Sequence, residues 1–441
     1  MSAREDASDR FAGLTTWPSA EPLSLPLLQA LIAAHAPVIH FHPEECYFPA
    51  RAEWYLERAL LVDGASGAVI AHHPAPADLP PGPASEPDRE KYWLTLDQAI
   101  AGPPLEPELT APGDPRRGNL ADACAYVRAL HDPALGHTDL QFWMFYPYDG
   151  PGLLRLRPFA FGARRADKLL SLWPGGMHEA DWELAVLRID HATLQPSAAF
   201  LSQHKGGDVH LGKVAMTALE RDTSGRILLY ASLYGHASYP HPEERKLFYT
   251  ARGVKVFALE MALIDRIDRG VSWNLGDVGN AQLISTSWND PAVPEPAWLA
   301  YGWRWGRFEP QGGRFTRKFV DELTLLLESR MASLVLTLHL ITLGLFAVAL
   351  ALASRLLGGA RGTGLLGELA DNSGPLGPRW QTHKWSGDYG FTGPPPAQPW
   401  RDPGAPLAHR LSGLFNTVCR PPVMLLSALL RAICAPFLPK A

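Results

Sequence analysis

His178, Asp181 and Glu183 stand within six residues at the entrance to the apolar run Gly176–Ile189, GMHEADWELAVLRI, and no other stretch limits the fold of this chain so tightly. Read as a strand, it puts Asp181 and Glu183 on one face and Trp182 on the other. His178, three residues earlier, sits on the incoming loop and converges on the same point. Two anionic oxygens and an imidazole are what a divalent cation takes from protein. A strand start whose solvated charges surround a core tryptophan is the competing interpretation.

Three further segments share the habit. Gln141–Gly150, QFWMFYPYDG, is an aromatic strand ending in a turn that offers Asp149. Ala198–Gly207, AAFLSQHKGG, brings His204 to its exit, and Ile227–Pro240, ILLYASLYGHASYP, delivers Gly235, His236 and Tyr239. Polar residues presented by loops on a rigid sheet are a usual way to build a site. Any one histidine is more often structural than ligating, but four strands ending alike point to a shared centre. The ligand set expected is Asp149, His178, Asp181, Glu183 and His236, with His204, Tyr239, His42 and Glu45 as outer support. Oxygen-rich coordination with one or two imidazoles suits Ca²⁺, Mg²⁺ or Mn²⁺ better than Zn²⁺.

From 139 to about 290 the apolar runs are short and punctuated by turns, including Val254–Leu259 and Gln282–Trp288. That spacing predicts a mainly β chain, a β-sandwich with flanking helices. Helical spacing marks Leu23–Ala34, with Ser24 as its cap, and Asn119–His131. Residues 74–118, rich in Pro, Gly and acidic side chains, read as a long inserted loop. The segment His40–Glu45, HFHPEE, looks like a ligand cluster, with His40 and His42 on one face by alternation and Pro43 holding His42 extended.

At these positions the chain resembles a known family. YPYDG, HxxDWE, SQHKGG and GHASYP, in that order, are similar to the vacuolar protein sorting-associated protein 62 family and its plant relatives of unknown function. So are APVIHFHPEECYFPARAEW at Ala36–Trp54, WLAYGWRWG at Trp298–Gly306 and SGPLGPRWQTHKWSGD at Ser373–Asp388. A more distant resemblance is to necrosis- and ethylene-inducing peptide-like cytolysins, whose GHRHDWE heptapeptide follows an aromatic strand with an aspartate. Those proteins are β-sandwiches that hold a divalent cation. The resemblance implies metal roles for Asp149, His178, Asp181, Glu183 and His236, and aligns His204 with a further histidine. Here the heptapeptide reads GMHEADWE, one residue longer, and the tip residues that give the cytolysins their lipid target do not align.

At 441 residues, 46% apolar and 10% aromatic, the chain can bury one large core or two modest ones. A net charge of −5 without a basic patch argues against a nucleic-acid partner. No phosphate loop, nucleophile elbow or dinucleotide fingerprint is present, so no nucleotide cofactor is expected. Cys46, Cys124, Cys419 and Cys434 are too far apart for a CxxC zinc pattern. The start, MSAREDASDRF, lacks the apolar core of a cleavable signal peptide.

Met331–Ser354, MASLVLTLHLITLGLFAVALALAS, is uncharged between Arg330 and Arg355. As a helix its 24 residues run about 36 Å, enough to cross a hydrocarbon core of about 30 Å. Basic residues before it favour a cytoplasmic β-domain. From Arg355 onward nine Lys/Arg face four Asp/Glu, so the tail is +5 and the body −10. The segment 405–439, apolar with scattered arginines, suits a membrane interface.

The expected organisation is a flexible 1–22, a metal-centred sandwich at 23–313, a linker and hydrophobic helix at 314–360, and a Pro/Gly-rich tail at 361–441. One conflict stands out. A single span would put Gly374–Trp385 across the bilayer from the sandwich, although the resembled family keeps that block in the same domain. Three functions fit: a non-enzymatic, metal-centred sandwich at membrane lipids acting in recognition or trafficking, a membrane-perturbing effector, and a metal-dependent hydrolase. The first is favoured.

Overall fold

The computed structural model describes residues 14–307 and 373–391, apart from 83–89, 103, 105–106, 108–109, 161–162, 165–167, 173–175, 204–205 and 255–256. The chain is mainly β, in several mixed sheets with few helices. The central sheet has six strands in the order β12 (Gly206–Leu211), β11 (Gln195–Gln203), β10 (His178–Asp190), β6 (His137–Asp149), β5 (Ala125–Asp132) and β18 (Ala281–Thr286). Neighbours run antiparallel except β5 and β18, which are parallel.

Both faces of this sheet are covered, which is why every residue of β6 is buried. Alternation sends Leu140, Phe142, Met144 and Tyr146 to one face and Trp143 and Phe145 to the other. The first face meets β14 (Ser238–Tyr239), β13 (Leu228–Ala231), β1 (Val38–His40) and β17 (Ser272–Asn274), through Ile39, Leu229 and Trp273. The helix α1 (Leu25–His35) closes that layer with the stripe Leu27, Leu28, Leu31 and Ile32. Pro26 opens it where a missing N–H is harmless, and Pro37 turns the preceding residue away from helix.

The second face meets β19 (Arg304–Trp305), β4 (Tyr92–Leu96), β2 (Ala59–Asp63) and β3 (Val69–His72), with Leu61, Leu94 and Trp305 against Trp143, Trp182 and Leu184. A fourth sheet joins β15 (Glu244–Val254), β16 (Phe257–Arg266), β7 (Leu153–Ala160) and β8 (Ala163–Arg164), with β9 (Lys168–Ser171) on β7. The other described helices are short: α2 (Ala52–Leu56), α3 (Gln98–Ala101), α4 (Gly212–Ala218) and α5 (Thr382–Ser386). None is long and apolar enough to cross a membrane; Met331–Ser354 and 405–439 lie outside the described residues.

Two expectations are corrected. Asn119–His131 is not a helix: after a 3₁₀ turn at Leu120–Asp122 it becomes β5. A strand buried on both faces loses its alternation and reads like a buried helix. The stretch 74–118 is not all loop, because β4 within it inserts between β2 and β19 and buries Leu94 and Leu96.

Residues 373–391 pack against this body. Gln141 Nε2 donates to the carbonyls of Lys384 and Trp385 at 3.1 Å, and Arg128 donates to Trp385 O at 2.6 Å. Tyr389 stacks on Phe200, and both Tyr389 and Phe391 enter the second core. The chain leaves and returns at one point: Gly374 N–H donates to Arg307 O at 3.0 Å and Trp305 N–H to Pro375 O at 2.8 Å.

Candidate metal centre

The long pairing of β6 with β10 sets His178 opposite Asp149 and Asp181 opposite Tyr146. By strict alternation Asp149 and His178, three residues from Tyr146 and Asp181, would take the opposite face, so it is a break between the two pairs that lets both carboxylates and the imidazole share a corner. Between those pairs the ladder is interrupted. Ala180 would meet Pro147, which has no N–H to give, and Ala180 turns out with φ of 58°. Its carbonyl accepts the Nδ1–H of His178 at 2.7 Å. His178 Nε2 faces Asp149 Oδ2 at 3.5 Å.

His236 comes from the turn between β13 and β14 and has φ of 54°, a conformation that costs about 1–3 kcal/mol in a non-glycine residue. Its ring lies flat on Tyr146, centroids 3.8 Å apart at 10°. Nε2–H donates to Tyr47 O at 3.1 Å, which turns Nδ1 toward Asp181 Oδ2 at 3.4 Å and Asp149 Oδ1 at 3.8 Å. One ligand atom each from Asp149, Asp181 and His236 lies within 4.8 Å of the others. Adjacent ligands of an ion with bonds of about 2.0–2.6 Å stand about 3–3.7 Å apart; the 3.4 Å gap falls within that range and the 3.8 Å gap just beyond it. A charge-assisted N–H···O pair would close to about 2.7–2.9 Å.

Both imidazoles thus have one nitrogen fixed by a backbone carbonyl and the other aimed at carboxylates, the arrangement that orients metal-ligating histidines. Two buried hydroxyls without partners, Tyr146 and Ser232, belong to the same corner. Ser232 Oγ and Asp149 Oδ1 each lie 3.8 Å from where a Cβ on Gly235 would sit. The donor set fits a divalent cation, and the cluster of Asp149, Asp181 and His236 could hold one.

The electrostatics are those of a site built for positive charge. Burial, then the charges of Asp181 and Glu183, push the Asp149 carboxyl well above its ordinary value. For Asp181 burial also acts upward, but the His236 hydrogen bond and the nearby imidazoles outweigh it and pull the carboxyl down. For His236 burial acts downward and is outweighed by Asp181, Glu45 and Glu183, so the imidazole is pushed up.

The other expected residues fall as follows. Glu183 shares the face of Asp181 one step along β10, where Ser202 donates its hydroxyl to it, and it acts on the cluster through its field. Glu45 touches the centre through backbone only. His42 is buried and accepts the N–H of Glu44 on Nδ1 at 3.0 Å, with no bond to the cluster. Tyr239 gives its hydroxyl to Asp265 at 2.5 Å rather than to the ligands. His204 lies outside the described residues. The sequence reading missed Tyr47, Tyr146, Ser232 and the Pro147–Ala180 interruption. Only the last had a signal, a proline inside a strand otherwise reading as central.

The chain matches the family of vacuolar protein sorting-associated protein 62 over residues 18–341, more than two thirds of its length. It belongs to that family. No curated protein matches this Vps62-family chain. Similar solved structures include "NLPPya in complex with mannosamine", at 16% identity over 71% of this chain and 95% of that one, TM-score 0.28. Another is Necrosis and Ethylene inducing Protein 2 from the causal agent of cocoa's Witches Broom disease, at 16% identity over 66% and 83%, TM-score 0.25. A third is the "non-toxic HaNLP3 protein", at 10% identity over 66% and 85%, TM-score 0.27.

Proposed function

We propose that this Vps62-family protein is a non-enzymatic β-sandwich whose fold is centred on a divalent cation and which works against membrane lipids in recognition or trafficking. The observation that carries the metal half is the buried convergence of Asp149, Asp181 and His236, with His178 Nε2 3.5 Å from Asp149 and the other nitrogen of each ring bound to Tyr47 O or Ala180 O. Buried carboxylates set side by side repel unless a cation or a proton stands between them. Two or three carboxylate oxygens with two imidazoles favour Mn²⁺, Mg²⁺ or Ca²⁺ over thiolate-preferring structural zinc.

Met331–Ser354 supports the membrane half, since nothing charged opposes its insertion. The adjoining of Arg307 and Gly374 brings both ends of 308–372 to one place on the body. An apolar run reached from that point and left toward it favours a hairpin or an interfacial seat over a single crossing. The sandwich and the 373–391 block then share one side of the bilayer.

The test uses the full chain in detergent. Chelator should lower its melting temperature and Mn²⁺ restore it, by about 2.7 kcal/mol at a hundredfold excess over the dissociation constant. Asp181→Asn should abolish the difference. Identical melting with and without chelator, together with no metal by elemental analysis, would sink the metal half. Recovery of the full chain as a soluble monomer without detergent would sink the membrane half.

A further inference from the structure

The segment HFHPEE looks like a ligand cluster, yet none of its side chains reaches the centre. His40 stacks on Tyr230, centroids 5.3 Å apart at 19°. His42 holds the turn at Glu44, and Glu44 itself pairs with Arg266 at 2.6 Å on the surface. Glu45 is different. Only 7% exposed, it has no Lys or Arg partner among the described residues. Its two oxygens instead accept three backbone N–H groups: Cys46 and Tyr47 on Oε1, each at 2.8 Å, and Tyr234 on Oε2 at 2.7 Å.

Those three groups belong to the two loops that aim the ligands. Tyr47 carries the carbonyl that fixes the His236 tautomer. Tyr234, with φ of 68°, stands two residues before His236 in the same strained turn. The Tyr234 carbonyl accepts the N–H of Gly150 at 2.9 Å, directly after ligand Asp149. Gly150 has to be glycine for this approach, since a Cβ there would lie 2.8 Å from both Tyr234 Cβ and Tyr47 Cε2.

We propose that Glu45 is a positioning residue for the metal centre, a buried carboxylate that ties the Tyr47 and Tyr234 peptides together and so sets His236 and Asp149. This rests on the metal reading above. Only a carboxylate serves, because both oxygens must accept: glutamine would set an NH₂ against one of the N–H groups. Outer partners of this kind typically change metal affinity by about 10–100-fold when lost.

The test is Mn²⁺ affinity of the full chain in detergent, read from the electron paramagnetic resonance of free Mn²⁺. Glu45→Gln should weaken binding by about 10–100-fold. Leu140→Ala, a core truncation at the far end of β6, should lower the melting temperature yet bind like the wild type. Glu45→Asp keeps the charge but cannot span all three donors; it should weaken binding too, and it decides the matter should Glu45→Gln not fold. Unchanged affinity in Glu45→Gln, whatever its melting temperature, overturns the positioning role while leaving the metal centre standing. No Mn²⁺ binding by the wild type overturns both.

Discussion

Tyr389→Ala tests the docking of the 373–391 block most directly. Tyr389 is 1% exposed, stacks on Phe200 at 5.2 Å and 29°, and meets Phe391 edge-on at 5.4 Å. Its hydroxyl accepts from Gln141 Nε2, but that amide also reaches the Lys384 and Trp385 carbonyls, and its Oε1 accepts from Trp143 Nε1 at 3.1 Å. Loss of the hydroxyl therefore strands nothing, and Tyr389→Phe should cost about 1 kcal/mol. Loss of the ring opens a cavity between β11 and the returning chain, so Tyr389→Ala should cost about 3–5 kcal/mol. At about 2–4 °C per kcal/mol, the melting temperature should fall by about 10 °C. Urea unfolding of the full chain in detergent, followed by tryptophan fluorescence, measures both variants. If both stay within about 0.5 kcal/mol of wild type, as neutral surface changes do, the block does not dock and the same-side topology fails with it.

Without metal, Asp149 and His236 both keep protons that the unfolded chain gives up, since both are pushed above their ordinary values. The His236 contribution is full below about pH 6.5 and the Asp149 contribution below about pH 4; each is lost as pH rises through its raised value. A cation displaces those protons, so the rise in melting temperature on adding Mn²⁺ should be larger at pH 8 than at pH 5.5, and equal increments would count against the assignment. Gly306→Ala should be strongly destabilising in thermal melts, because φ is 121° and a Cβ would stand 1.9 Å from Glu179 O; a neutral result would refute the tight closure there. Ser202→Ala removes the donor to Glu183 and the acceptor of Leu184 N–H at 2.9 Å, and should cost about 1–3 kcal/mol by urea titration.

Asp149, Asp181 and His236 were legible as a cluster because each stands near the end of an apolar strand, Asp149 at the exit of β6, Asp181 at the entry to β10 and His236 in the turn after β13. The mainly β character was legible for the same reason, from short runs between turns. Asn119–His131 was misread because a strand covered on both faces shows no period of two. The support of the centre was largely hidden: Tyr47 acts through its carbonyl, which no side-chain pattern announces, and Ala180 is ordinary until its φ is seen. Glu45 was visible as a residue but not as a hub, since its partners come from Tyr47 nearby and from Tyr234, 189 positions away.

The meeting of Arg307 with Gly374 has an entropic consequence. Between them lie the 65 positions 308–372, and for a flexible connection the entropy of bringing its ends together grows only as the logarithm of its length. Each doubling of that length costs only about 0.6 kcal/mol. The body is thus nearly indifferent to what is strung between those two residues. The excursion can lengthen, shorten or change character, hydrophobic or not, at little cost to the sheets that hold the centre.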